Sequence, residues 1–377
     1  MPPRLTLGLL AIALGCGTPA DGAPTPGAVA PVAAVAPAPT TGASVARVGR
    51  ARPDARAVAT VAVASRVGDR GAADRSGKHA RLGEAVTLYA VVVTDDGTVY
   101  SDAPSLRWQR RTVTPRPLAD APELELAWAK VEPTETNLSN TSTGSFRYER
   151  IPYATTAMTA TGGAIAADVH PTRTPDRGDG VGTMRYQLTA TQGDRTIASA
   201  GIEARRGRGA GGLSEDVHRI TIRRDDTFLG YLTEMYGQPY IWASAGGTAR
   251  THQSERLEGS DCADLMVYGA RRAGLDIPYT YTGSLPTYAR TLARGDLAND
   301  GIYRDARGTP VPFTRAGDLI LFPRHVGALF ADRGSLGVVD VDDLMIHTLF
   351  DSPKEQAIRD SGYAENPIQI LRWKGLR

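Results

Sequence analysis

The chain has 377 residues, room for about two domains once an export segment and a linker are set aside. Lys and Arg number 43 against 41 Asp and Glu, and a net charge of +2 gives no electrostatic case for a nucleic-acid partner. After the N-terminus no stretch approaches the roughly 18 consecutive apolar residues of a membrane helix, so attachment to a membrane is expected through lipid rather than a span.

The first predicted element is an export signal. MPPRLTLGLLAIALGCG carries a positive charge at Arg4, an apolar run over residues 5–14 and small residues ahead of Cys16. That layout predicts a signal peptide over 1–15. The Ala-Leu-Gly-Cys run ending at Cys16 also resembles the lipobox of bacterial lipoproteins, which implies a lipid on Cys16 and cleavage just before it. Ordinary secretion with cleavage nearby is the alternative. Either way the mature chain is expected to leave the cytoplasm, and with the lipid in place to sit in the cell envelope, at the outer membrane or periplasm.

Residues 16–75 are expected to be a lipidated cysteine and a disordered linker, because their Ala, Pro, Gly and Thr composition lacks the large apolar residues of a core. Over 76–216 the pattern turns to period two: AVTLYAVVV, the turn Asp95-Asp96-Gly97, SLRWQ, ELELAW, SFRYERI, GTMRYQLTAT and RTIASAGIEA. Short alternating strands between turn residues predict an all-β immunoglobulin-like sandwich. His79 and His170 fall in irregular stretches and read as solvated surface residues.

A Gly- and Arg-rich stretch, 204–216, marks the boundary to a second domain at 217–377. Asp225-Asp226 are expected to cap a helix running to Met235, and 244–259 reads as a polar loop with His252 exposed. Ser260 or Asp261 caps a second helix that begins at Cys262 and is ended by Gly274. LILFP, HVGALFA and LMIHTLF follow as strands. Helices first and an antiparallel sheet after them predict an α+β domain.

Cys16 and Cys262 are the two cysteines, so a lipid on Cys16 leaves Cys262 without a disulfide partner in the chain. A buried inert thiol is one reading. The other is a nucleophile: a thiol is mostly protonated at neutral pH, and a helix start together with an imidazole is the simplest way to activate it. His325 opens one predicted strand and His347 lies within the next, where it can fix the tautomer of His325. A zinc site of Cys262, His325 and His347 lacks C-x-x-C or H-E-x-x-H spacing, so neither metal nor cofactor is expected.

GQPYIW, DCADL, GDLILF with PRHVG, and MIHT occur in this order, and on them 217–377 resembles the NlpC-type family of papain-like peptidoglycan hydrolases. The resemblance implies a papain-like α+β fold, Cys262 as nucleophile, His325 as base and His347 as the orienting third residue. It implies that Tyr240 sets its hydroxyl near the thiol and the substrate backbone, that Asp261 holds a substrate amine, and that the partner is a peptidoglycan stem peptide. Tyr240 as a packed core aromatic and Asp261 as a helix cap stay open beside those roles. Ala263 and Asp264 stand where the family has Ser and Gly, and Ala243 where it has Gly. These departures keep open an amidase, acyltransferase or toxin-like enzyme on a non-wall substrate, and a catalytically silent wall-binding lipoprotein.

Overall fold

The computed structural model describes residues 44–51, 56–139, 151–206, 212–246 and 248–376. The expected signal peptide and the lipidation position Cys16 lie outside them. The described chain is mostly β, with 41% strand and 11% helix.

Period-two patterning builds the N-terminal half. Along Leu124–Pro133, Leu124, Leu126 and Trp128 are buried while Glu125, Ala127 and Ala129 are less so, which turns one face of the strand inward. This strand pairs antiparallel with Gly182–Gln192 at the centre of a seven-stranded sheet. Val58–Val67 and Val86–Thr94 form the long pair of a second, four-stranded sheet. Val61, Leu88, Leu126, Trp128, Tyr186 and Leu188 belong to one core shared by the two sheets. The indole N–H of Trp128 donates to the Gly162 carbonyl at 2.9 Å, so the largest buried ring brings no unsatisfied donor inside. The half is all-β, as an immunoglobulin-like sandwich requires.

Two boundaries move. The expected linker over 16–75 contains Ala46–Val48 and Val58–Val67, both paired in sheets. VATVAVASRV is poor in large residues, but small Ala and Val side chains suffice where two sheets approach closely. The division at 216/217 falls one strand early. His218–Arg223 pairs antiparallel with Gly182–Gln192 and parallel with Lys78–Arg81, so the chain leaves the first sheet only after Arg223.

The expected papain-like α+β class for the C-terminal part is overturned. Phe228–Leu232 and Leu285–Tyr288 have 5 and 4 residues, and Cys262–Arg272, with 11, is the one longer helix among the described residues. The helix expected from Asp225-Asp226 is capped instead by Thr227, whose hydroxyl accepts from Gly230 N at 3.1 Å. It tightens to a 3-10 turn over Thr233–Met235 and stops at the extended Tyr236. The dominant element is an antiparallel sheet of seven strands. Its order is Tyr303–Arg304, Ala289–Leu297, Ile368–Trp373, Leu319–Leu321, Val326–Ala331, Leu344–His347 and Lys354–Ala357.

Alternation divides the side chains of this sheet between two cores. Leu319, Leu321, Val326, Ala328, Ile346 and Leu371 share a core with the Cys262 helix. Ile320, Leu329, Met345, Ile368 and Ile370 face away from it, into a second core with Tyr303 and Ile358.

Candidate functional site

Two groups of residues lie toward one end of the C-terminal sheet. The first is the helix start. Asp261 is extended and its carboxylate accepts from Asp264 N at 2.9 Å, so the N-cap leaves Cys262 as the first helical residue. Cys262 is a thiol with 1% of its surface exposed. At the other end Gly274 adopts φ +98°, a left-handed conformation that closes the helix as its sequence position suggests.

In the segment 244–259, Ser244 and residues 252–254 are buried near this helix start, whereas Thr248 and Arg250 are exposed. The Ser244 hydroxyl accepts from Asp261 N at 3.1 Å and donates to an Asp264 carboxylate oxygen at 2.5 Å. His252 Nε2 lies 3.6 Å from the same oxygen, and its ring stacks on Tyr279 at 3.6 Å. His252, expected to be exposed, is therefore buried, and burial lowers its pKa to about 3. Asp264, one of the departures from the NlpC-type pattern, ties this segment down.

Electrostatics at the thiol are mixed. The positive end of the helix dipole favours an anion at Cys262, although Ala263 N and Asp264 N are already taken by the Asp261 carboxylate. Burial pushes Asp261 up to about 6, against the hydrogen bonds that it accepts from the backbone of Asp264 and Ala263. Above that value the Asp261 carboxylate is charged and opposes a standing thiolate.

The second group is a pair of imidazoles. His325 Nε2 and His347 Nδ1 are 2.8 Å apart, and His347 Nε2 is 2.9 Å from Gln356 Oε1. Gln356 Nε2 in turn donates to the Asp360 carbonyl at 2.6 Å. His325 Nδ1 is buried and has no hydrogen-bond partner among the described residues. Burial, and then His347, lower the pKa of His325 well below the ordinary value; burial lowers that of His347 to about 4. Both rings are neutral at pH 7.

Strand register explains how the pair forms. Ala328 lies opposite Ile346 and His347 opposite Lys354, so His325, His347 and Gln356 come together diagonally across three neighbouring strands. Gly327 permits the approach: a Cβ there would meet Met345 Sδ at 3.0 Å, the Ile346 carbonyl at 3.1 Å and His347 Cβ at 3.2 Å. The His325 ring stacks on Tyr363 at 4.7 Å and on Phe322 at 6.1 Å.

Tyr240 links the groups. Its strand, Tyr240–Trp242, forms a bridge with Ser260, two residues before Cys262. Its ring packs edge-on against Phe350, three residues past His347, at 5.5 Å. Cys262, Asp261 and Tyr240 thus share an end of the sheet with His325 and His347. Across the sheet they differ. Cys262 belongs to the helix-side core, whereas the ring contacts of His325 with Phe322 and Tyr363 are made in the core on the other face.

Gln356, Asp360 and Tyr363 carried no signal in the sequence. Each is an ordinary polar or aromatic residue near the C-terminus, and only the pairing of Lys354–Ala357 with Leu344–His347 gives the first its place. Among the described residues, no group of three or more His, Cys, Asp or Glu side chains is arranged to hold a metal ion, and no helix is long and apolar enough to cross a membrane. Comparison with known protein families, with curated proteins and with solved structures finds no match to this chain.

Proposed function

We propose that the chain is an exported, lipid-anchored thiol hydrolase that cleaves amide bonds in peptidoglycan stem peptides, with Cys262 as nucleophile. The observation that carries this reading is the buried His325–His347 hydrogen bond of 2.8 Å. It occupies one nitrogen of His325 and leaves Nδ1 open, at the sheet end where the Cys262 helix begins. The ordered NlpC-type motifs support the substrate class, and the lipobox-like run at Cys16 supports the location.

A neutral His325 acts as a base at the moment of attack rather than as half of a standing ion pair. Sulfur and His325 Nδ1, whose surroundings lie on opposite faces of the sheet, have to come within reach for the Cys262 proton to pass to Nδ1 as sulfur attacks the amide carbon, and the helix start favours the developing oxyanion. The C–N bond then breaks, the amine leaves with the proton from His325, and a thioester remains. Water gives a proton to His325 and its oxygen to the acyl carbon, and the proton returns to sulfur as the acid departs. His347 orients the base throughout. Asp261, whose carboxylate caps the helix, has to leave Asp264 N in part if it is to hold a substrate amine. With Cys262 1% and His325 0% exposed, substrate reaches the sulfur only when a neighbouring segment moves.

Incubating full-length protein with muropeptides is expected to release fragments, and Cys262→Ala to abolish release. Equal release by the variant would overturn the reading. One observation favours a second reading, a catalytically silent wall-binding lipoprotein: the His325 ring contacts lie on the sheet face away from the Cys262 helix. An iodoacetamide rate profile with an ordinary thiol pKa, together with muropeptides left intact, selects that alternative.

A further inference from the structure

We infer that Gln356, held by the carbonyl of Asp360, is a positioning residue that sets the tautomer of both histidines and makes Nδ1 the bare nitrogen of His325. One chain of hydrogen bonds sets the orientation of each group. A backbone carbonyl only accepts, so the Gln356 atom 2.6 Å from Asp360 O is the amide nitrogen. The amide oxygen therefore faces His347 Nε2, at 2.9 Å, and that nitrogen must carry a hydrogen. A neutral His347 then has a lone pair on Nδ1, and the 2.8 Å contact requires His325 Nε2 to donate to it. A neutral imidazole carries one N–H, so Nδ1 of His325 is left with its lone pair.

Neutrality is set by the surroundings. His325 has ring contacts with Phe322, Tyr363 and His347, and the partners of His347 are His325 and Gln356. None of these contacts is a carboxylate. The charged groups that act on His347, Lys354 and Asp351, oppose each other. The orientation of each group is thus decided by the one behind it, and a main-chain carbonyl, which cannot reverse, ends the series. Reversal at the buried His325–His347 link or the part-buried His347–Gln356 link sets two lone pairs or two hydrogens face to face, whereas the Gln356–Asp360 link is exposed.

That Nδ1 serves as a base rests on the hydrolase reading; the tautomer does not. The test is therefore a ring-nitrogen spectrum of the full chain labelled with ¹⁵N-histidine at pH 7, the signals assigned with His325→Gln and His347→Gln. Wild type is expected to show both rings protonated on Nε2 and bare on Nδ1. Gln356→Met, similar in size but lacking the amide, is expected to lose this single pattern and give a mixture of tautomers at both rings. Gln356→Glu with its carboxyl protonated donates to Asp360 O and accepts from His347 Nε2, and is expected to restore the pattern in the pH range where that carboxyl is neutral, a rescue that a merely structural role does not produce. A wild-type His347 protonated on Nδ1, or a Gln356→Met spectrum identical to wild type, overturns the inference. Should the Met variant fail to fold, the wild-type and Glu spectra decide. Muropeptide release from the same samples is scored separately, so intact muropeptides with the expected spectra count against the hydrolase reading alone.

Discussion

His218 in the first sheet and His325 at the start of a strand of the C-terminal sheet are both buried, and both have their charged form suppressed by burial; His218 is lowered to about 4. They differ in how their nitrogens are satisfied. His218 has Ser65 Oγ 2.8 Å from Nε2 and the Arg75 carbonyl 3.3 Å from Nδ1, which is what an imidazole used as a core fastener needs. His325 has a partner for one nitrogen only, within a series that fixes the direction of its hydrogen. The difference teaches where to look for chemistry: burial alone marks a titratable side chain as structural, and burial with an open lone pair marks it as poised for a donor.

Polar burial is common to the regions around them. The N-terminal half packs an apolar and aromatic core between its two sheets and also buries Lys130, Glu132, Arg185 and His218. The C-terminal region carries Asp261, Asp264, Asp318, His325 and His347 inside. Each of these needs a partner: Asp318, for example, takes two hydrogen bonds from Arg372 at 2.7 and 2.6 Å.

The largest expected effect breaks the N-terminal side of this contrast. Trp128→Ala empties the centre of the sandwich and is expected to cost about 3–5 kcal/mol in urea unfolding. If the two regions bury side chains for different ends, the alkylation rate of Cys262 in the still-folded variant stays at the wild-type value. A changed rate would join the regions functionally.

A second prediction concerns His218 and pH. Its folded pKa, about 4, lies below the unfolded value of 6.5, so the unfolded chain binds the extra proton between these limits. Stability therefore falls as pH drops through that window, and His218 alone contributes a loss of about 2 kcal/mol between pH 7 and 5. Replacing it with Gln, which retains hydrogen-bonding capacity but does not titrate, is expected to remove that share of the pH dependence in paired urea melts. An unchanged slope would show that His218 is solvated in the folded protein.

The smallest effect sharpens the C-terminal side. Gly327→Ala brings a methyl to within 3.2 Å of His347 Cβ and 3.1 Å of the Ile346 carbonyl, and is expected to cost roughly 1–2 kcal/mol. Its diagnostic consequence is positional. The ring-nitrogen signals of His325 and His347 should shift while those of His218 stay fixed. Movement of His218 alone would contradict the register that joins the pair.

Several local features are legible in the residues themselves. Alternation around Trp128 and along 182–192 specifies strands because period two is a property of neighbouring residues and needs no knowledge of the partner. Asp261 before Cys262 and Gly274 after the helix mark its two ends for the same reason: caps act on groups within a turn. Local preference and tertiary context disagree elsewhere. Residues 225–235 have a helical spacing of apolar side chains, yet only a short helix and a 3-10 turn form before the chain extends at Tyr236. Val58–Val67 reads as linker by composition, yet pairs along its length with Val86–Thr94.

What the sequence by itself determined are the elements whose causes are local: the alternating strands, the helix at Cys262 and its caps, and the ordered Cys, His and His. Tertiary structure alone decided which strands share a sheet, that His252 is inside, that the imidazoles contact one face and the Cys262 helix the other, and that Gln356 stands behind His347. The physical reason is that pairing and burial depend on residues far apart in the chain. A polar side chain reveals its role only when the group that satisfies it, or fails to, is brought beside it.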